Sequence, residues 1–224
     1  MLLIPRRFLL ALLASTSIVP AAAAIKPVPP VLPVDEATRD PALVRVRASA
    51  VQAVKTRNFQ QLQVHLDARI QLDFGGGSGA AELGRRLKRD PKLWDELAWV
   101  LENGGRFQQG EFWAPYTFTA NIGNLDAYEA GIIVSDKVPA RAEPRVDARI
   151  VATLGRRAIR VVDWRHSDKT PKPFYTRRDW VKVELEEKQT AWIEARFVRA
   201  GVDYRAGFKK VRGAWKMNAF IAGD

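Results

Sequence analysis

The 224-residue sequence predicts an α+β protein, on three observations. Between Pro41 and Leu101 apolar residues recur at the three- and four-residue spacing of helices. After Asp126 the pattern becomes short β-rich runs broken by turns, as in a small barrel. Residues Tyr204 to Ile221 then read as two strands around Arg212-Gly213, a hairpin turn. With 47% apolar residues, seven Trp and ten Phe, the chain is rich enough to bury substantial cores.

Residues 1–24 follow the plan of a secretory signal peptide: Arg6 and Arg7 are its positive start, Phe8 to Val19 its apolar stretch, and Ala21 to Ala24 its small-residue end. Cleavage is expected after Ala23 or Ala24. The apolar stretch, interrupted by Ser15, Thr16 and Ser17, falls short of the ~20 residues that span a bilayer. Arg6-Arg7-Phe8-Leu9-Leu10 approaches a twin-arginine pattern but lacks its spacer residue, so the general secretion route fits better. No other segment reaches spanning length. The mature chain is therefore expected in the periplasm or outside the cell, with no integral membrane segment. The chain has no cysteine. Lipidation at a cleavage-site thiol, disulfides, thiol catalysis and cysteine-based metal sites are thereby excluded.

Residues 25–39 contain Pro27, Pro29, Pro30 and Pro33 and read as an extended linker, with ordered structure starting near Asp40-Pro41. Leu43, Val46, Ala50 and Val54 mark a first helix over Ala42 to Thr56. Asn58 is suited to cap a second helix, running through Leu62 to His65. Ile70, Leu72 and Phe74 alternate with polar residues as a half-buried strand does, and Gly75 to Gly79 end it. Ala80 to Arg89 is helical by propensity. Asp90 and Pro91 open a further helix whose apolar face is Leu93, Trp94, Leu97 and Leu101, and Asn103-Gly104-Gly105 closes it. Phe112 to Phe118 reads as extended. These residues make an α+β region over 40–127, which the hairpin at 201–224 is placed to complete.

The β-rich part holds five predicted strands, Ile132 to Val134, Ile150 to Leu154, Ile159 to Val162, Trp180 to Leu185 and Thr190 to Ile193, with a polar insert from Arg165 to Asp179. Two blocks in it, in order, carry a resemblance. The first is Val138-Pro139-Ala140-Arg141-Ala142-Glu143-Pro144 followed by Ile150-Val151-Ala152-Thr153-Leu154. The second is Trp180-Val181-Lys182-Val183, then Ala191-Trp192-Ile193 and Phe197-Val198. Over about 70 residues this resembles the bacterial SH3 (SH3b) domains of exported proteins. The sequence departs from that family at Ala142-Glu143, at Ala191 and in the length of the insert. The resemblance implies an SH3-like β-barrel module over 128–200, attached to the N-terminal α+β region and followed by the C-terminal β-hairpin. Exported proteins that pair such a module with an α+β region are similar in overall pattern.

Catalytic chemistry finds no support in the residues. Asp73-Phe74-Gly75 lacks the Lys-Ser/Thr of a phosphate loop and any kinase catalytic motif. His65 and His166 have no metal-ligand spacing, and Asp67 and Asp73 have no evident partner for acid–base work. The reading is a non-enzymatic binding protein with no cofactor and no metal.

Its expected ligand is cell-wall (peptidoglycan) peptide or a periplasmic protein, because SH3-like barrels hold extended ligands with exposed aromatics. Trp164 and Tyr175, flanking the insert, with Arg177 and Arg178, are the candidate ligand-binding residues; Trp180 and Trp192 are expected in the barrel core. Of the net charge of +11, Arg6 and Arg7 carry +2 and are expected to leave with the signal peptide, and the remaining +9 favours anionic partners. It concentrates late in the chain, with 16 basic against 11 acidic residues over 128–200 and five against two over 201–224. Nucleic acid is not an expected partner in that compartment. Two alternatives stand beside this reading: an activator or accessory subunit of a cell-wall hydrolase, and a barrel with a purely structural role.

Overall fold

Asp and Asn side chains start three of the four helices of the N-terminal region in the computed structural model, which describes residues 30–164 and 180–223. The Asp40 carboxylate accepts from the Ala42 and Leu43 amides at 2.9 and 3.3 Å, starting α1 (Pro41–Lys55) with Pro41 in its first turn. Asn58 does the same for α2 (Phe59–Gln63), accepting from the Gln61 amide at 3.0 Å. Strand β1 (Leu66–Gln71) begins four residues earlier than the expected Ile70, and Leu72 and Phe74 lie beyond it. The chain folds back on itself there, with the Leu72 amide on the Gly77 carbonyl at 2.9 Å. Helix α3 (Ala80–Arg89) follows, and Asp90 accepts from the Lys92 amide at 3.1 Å to launch α4 (Lys92–Glu102). The hairpin β2 (Arg106–Gln108) and β3 (Glu111–Ala114) comes next. The expected extended run through Phe118 stops at Ala114, after which the Tyr116 amide donates back to the Asn103 carbonyl and a turn closes from the Phe118 amide to the Pro115 carbonyl.

The β-rich part contains β4 (Ala130–Ile133), β5 (Val138–Arg141), β6 (Ile150–Leu154), β7 (Ala158–Asp163), β8 (Trp180–Glu184), β9 (Thr190–Glu194) and β10 (Val198–Ala200). They form one sheet in the order β10-β4-β7-β8-β9-β5-β6, every pairing antiparallel. Where five strands of a barrel were predicted there are, among the described residues, seven in an open order, in which β6 bonds only to β5 and β10 only to β4, so no ladder between described strands closes the sheet. Its core is built from short β-branched and small side chains, among them Ile133, Val138, Val161, Val181, Val183 and Ile193. Since the first and last strands lie side by side, the chain enters and leaves this unit at one place.

The closing hairpin, β11 (Arg205–Val211) and β12 (Ala214–Ile221), turns at Arg212 and Gly213, both at positive φ (50° and 83°). It supplies the centre of the five-stranded sheet β1-β12-β11-β3-β2, with β12 parallel to β1 and β11 antiparallel to β3. In the β11–β12 ladder Gly207 faces Ala219 and Phe208 faces Met217, leaving Asn218 as an extra, bulged residue. That bulge puts Met217 and Phe220, three apart, on the same side of the sheet. There they join Phe112 and Phe208 against Leu43 and Ala50 of α1 and Leu97 and Leu101 of α4.

Only the first part of the expected linker lies outside the described residues; from Pro30 onward it is packed structure. Val31 is buried with Tyr116, Ile132 and Ala158, its amide bonded to the Arg156 carbonyl at 3.2 Å. Val34 and Glu36 bracket Gly105 through backbone hydrogen bonds of 2.8 and 2.9 Å, and Asp35 pairs with Arg47. A Cβ on Gly105 would stand 2.1 Å from the Trp113 carbonyl oxygen, so this approach requires glycine. The apolar Val31 and Val34 give an extended Pro-rich segment something to bury, and it seals both sheets instead of spacing them.

A second tie joins the two sheets. Arg199 of β10 lays its guanidinium 4.0 Å from the Trp99 ring centroid on α4. It bonds both oxygens of Glu96, one at 3.3 Å, and lies 3.4 Å from Asp203. Burial works against its charge, and the carboxylates of Asp203 and Glu96 outweigh that, holding the Arg199 pKa above its ordinary value.

Candidate functional site

Strict alternation along β8 and β9 builds the site. Val181, Val183, Ala191 and Ile193 point inward and are fully buried. Trp180, Lys182, Trp192 and Glu194 therefore point outward, half-buried. The register sets Trp180 opposite Glu194 and Lys182 opposite Trp192, while Arg141 of β5 pairs with Trp192 from its other side. Lys182 Nζ lies 5.7 Å from the Trp192 ring centroid, within cation–π range. Asp163, at the end of β7, stands opposite Lys182 across the β7–β8 ladder.

Arg141 belongs to the same outward row and is held from behind. Its Nη1 donates to the Ala148 carbonyl at 2.8 Å, closing the β5–β6 loop, and its Nε is buried with no hydrogen-bond partner among the described residues. The tip of that loop is charged: Arg145 bonds Glu143 at 3.1 Å and Asp147 at 2.6 Å, all three exposed. Arg196 pairs with Glu194 at 2.9 Å and covers the Phe197 ring. The result is two indoles interleaved with two cations on one face of a rigid sheet, a surface able to stack and to meet carboxylates.

The expectation that Trp180 and Trp192 fill the core is corrected by this alternation, since valines and Ile193 occupy the interior positions. Trp164 was expected to be exposed and is half-buried, its indole N–H donating to the Tyr128 carbonyl at 3.0 Å while its ring packs on the core of the seven-stranded sheet. Tyr175, Arg177 and Arg178 lie outside the described residues. Lys182 and Arg141 were missed. The period of two in Trp180-Val181-Lys182-Val183 carried the signal for Lys182, because a strand that buries its valines must present its Trp and Lys together.

The remaining polar residues have structural partners. Asp73 accepts from Arg86 at 2.5 Å and from the Gly77 amide at 2.7 Å, and the guanidinium holds its carboxyl below the usual range. Asp67 lies 3.9 Å from Lys209. His65 Nε2 is 2.8 Å from Ser49 Oγ, and burial, with Lys216 nearby, pushes its pKa down. Among the described residues no three His, Cys, Asp or Glu side chains gather as a metal site, and no helix is long and apolar enough to cross a membrane.

No family model, no curated protein and no solved structure matches the chain.

Proposed function

We propose that the chain is an exported binding protein without catalytic activity, in which residues 128–200 form an SH3-like module that takes an extended peptide from the cell wall or from a periplasmic protein. The observation that carries this reading is the outward row of Trp180, Lys182, Trp192 and Arg141. Flat aromatic faces grip an extended backbone, and neighbouring cations select acidic side chains or a terminal carboxylate. The insert directly before Trp180 adds Arg165, Lys169, Lys172, Arg177 and Arg178 to the same module against only Asp168 and Asp179. Adjacent module ends at β4 and β10 also support an inserted binding unit.

The test is retention of the mature protein on purified peptidoglycan and on immobilised periplasmic extract. Trp180→Ala with Trp192→Ala, and separately Arg177→Ala with Arg178→Ala, should each lose most of the retained fraction at low salt. The arginine pair is expected to leave thermal stability nearly unchanged. Unchanged retention of both double variants would overturn the peptide-binding reading.

A second reading, that the module buttresses the fold, is favoured by the Arg199 contacts with Glu96 and Trp99. It predicts no retention on either bait and loss of the five-stranded unit's stability when 128–200 is replaced by a short linker.

A further inference from the structure

The five-stranded sheet carries a separate surface on the side away from its helices. Phe112 and Ala114 of β3 face the helical core, so Glu111 and Trp113 face outward, beside Gln108 of β2 and Gln109 in the turn between the strands. Gly207 of β11 is the ladder partner of Trp113. A Cβ there would meet Trp113 Cη2 at 3.0 Å and Asn218 Oδ1 at 3.1 Å. The missing side chain lets the end of the indole, Cη2 and Cζ3, lie close over β11 while Trp113 stays half-buried.

Phe118 walls one side of this seat, its ring centroid 5.4 Å from that of Trp113 and inclined at 54°. The Arg205 guanidinium backs Phe118 at 4.7 Å, and the bulged Asn218 donates from Nδ2 to Glu111 Oε1 at 3.3 Å, fixing that carboxylate. Gln108, Gln109, Glu111, Trp113 and Phe118 line an open depression of about 820 Å³. Two neutral amides and one carboxylate line the depression beside its aromatic floor, and the cations on the same side of the sheet are drawn to carboxylates of their own, Arg106, the ladder partner of Trp113, to Glu36 at 3.5 Å and Lys209 to Asp67 at 3.9 Å.

We propose that this depression binds a β-gluco-configured pyranose ring of a neutral glycan chain. Such a ring has equatorial hydroxyls at its rim and axial C–H groups on its faces. The C–H face complements the electron-rich face of the indole, while the rim hydroxyls both donate and accept, as the two glutamines do, and donate to Glu111. A flat aromatic floor with few convergent polar groups is the usual make-up of a small-ligand site. The site uses no residue of the peptide-binding row, so each reading stands or fails separately.

Isothermal titration of the full chain with cellotetraose and chitotetraose, and with β-1,4-galactotetraose as the axial-hydroxyl control, tests it. Both gluco-configured chains should bind, and the galactan should bind at least tenfold more weakly. Trp113→Ala should weaken binding at least tenfold and Trp113→Phe by less than threefold. Glu111→Gln and Gln109→Ala should each weaken it about threefold, which guards against misfolding of the Trp113 variant. Trp180→Ala with Trp192→Ala should leave glycan affinity unchanged. No binding of either gluco-configured chain, equal binding of the galactan, or parental affinity in folded Trp113→Ala would overturn the proposal.

Discussion

Arg199→Ala removes the tie between β10 and α4 and leaves two carboxylates facing an empty place. The side chains involved are 15% exposed for Arg199, 18% for Glu96 and 12% for Asp203. Losing one member of such a shielded cluster costs about 3–5 kcal/mol, and the residual water access places this case near the lower end. For a chain of this size each kcal/mol lowers the melting temperature by about 2–4 °C, so a loss of about 3 kcal/mol predicts a fall of about 6–12 °C. Calorimetry of the variant should further show two transitions where the parent is expected to show one, because the two sheets lose a shared contact. Adding Glu96→Ala should recover part of the loss by removing one stranded charge, a coupling that neither single variant reports. A melting temperature within 2 °C of the parent in Arg199→Ala would refute the reasoning.

Removal of 201–224 takes out β11 and β12, the two central strands of the five-stranded sheet, so the truncated chain should lose cooperative unfolding of 40–126; native melting there would show the hairpin to be dispensable. Gly105→Ala should destabilise by about 1–3 kcal/mol through overpacking against the Trp113 carbonyl, read by urea denaturation, and a neutral outcome would contradict the close approach. The Asp40 carboxyl is lowered to about 2, first by the hydrogen bond from the Trp215 indole and then by Lys210 and the first amides of α1. Because its folded pKa lies below the unfolded value, its stabilisation is full above about pH 4 and is lost as pH falls toward 2. Asp40→Asn should therefore flatten the stability curve in that window, and an unaltered acid limb would remove Asp40 from the account.

Three of the N-terminal helices were legible because each begins at a local device, Asp40, Asn58 or Asp90, and keeps a 3.6-residue apolar period, and the fourth, Ala80–Arg89, was legible by propensity. The closing hairpin was legible for the same kind of reason, since Arg212-Gly213 fits a turn in which both central residues take positive φ. The charged insert and the Trp-Val-Lys-Val run were visible too, but which side of the strand each indole takes depends on the register with β9 and β5, which the single run does not state.

Sequence by itself determined the α+β class, the capped helices, the terminal turn and the separation of a β-rich unit from a helical one, all of which rest on contacts within a few residues. Tertiary structure alone decided that the last two strands form the centre of the first sheet, that residues from Pro30 seal it, and that Arg199 meets Glu96 and Trp99. It also decided that Gly207 seats Trp113. Each of these joins residues far apart in the chain, and local periodicity carries no record of which distant surface an apolar stripe, a bulge or a missing side chain is shaped to meet.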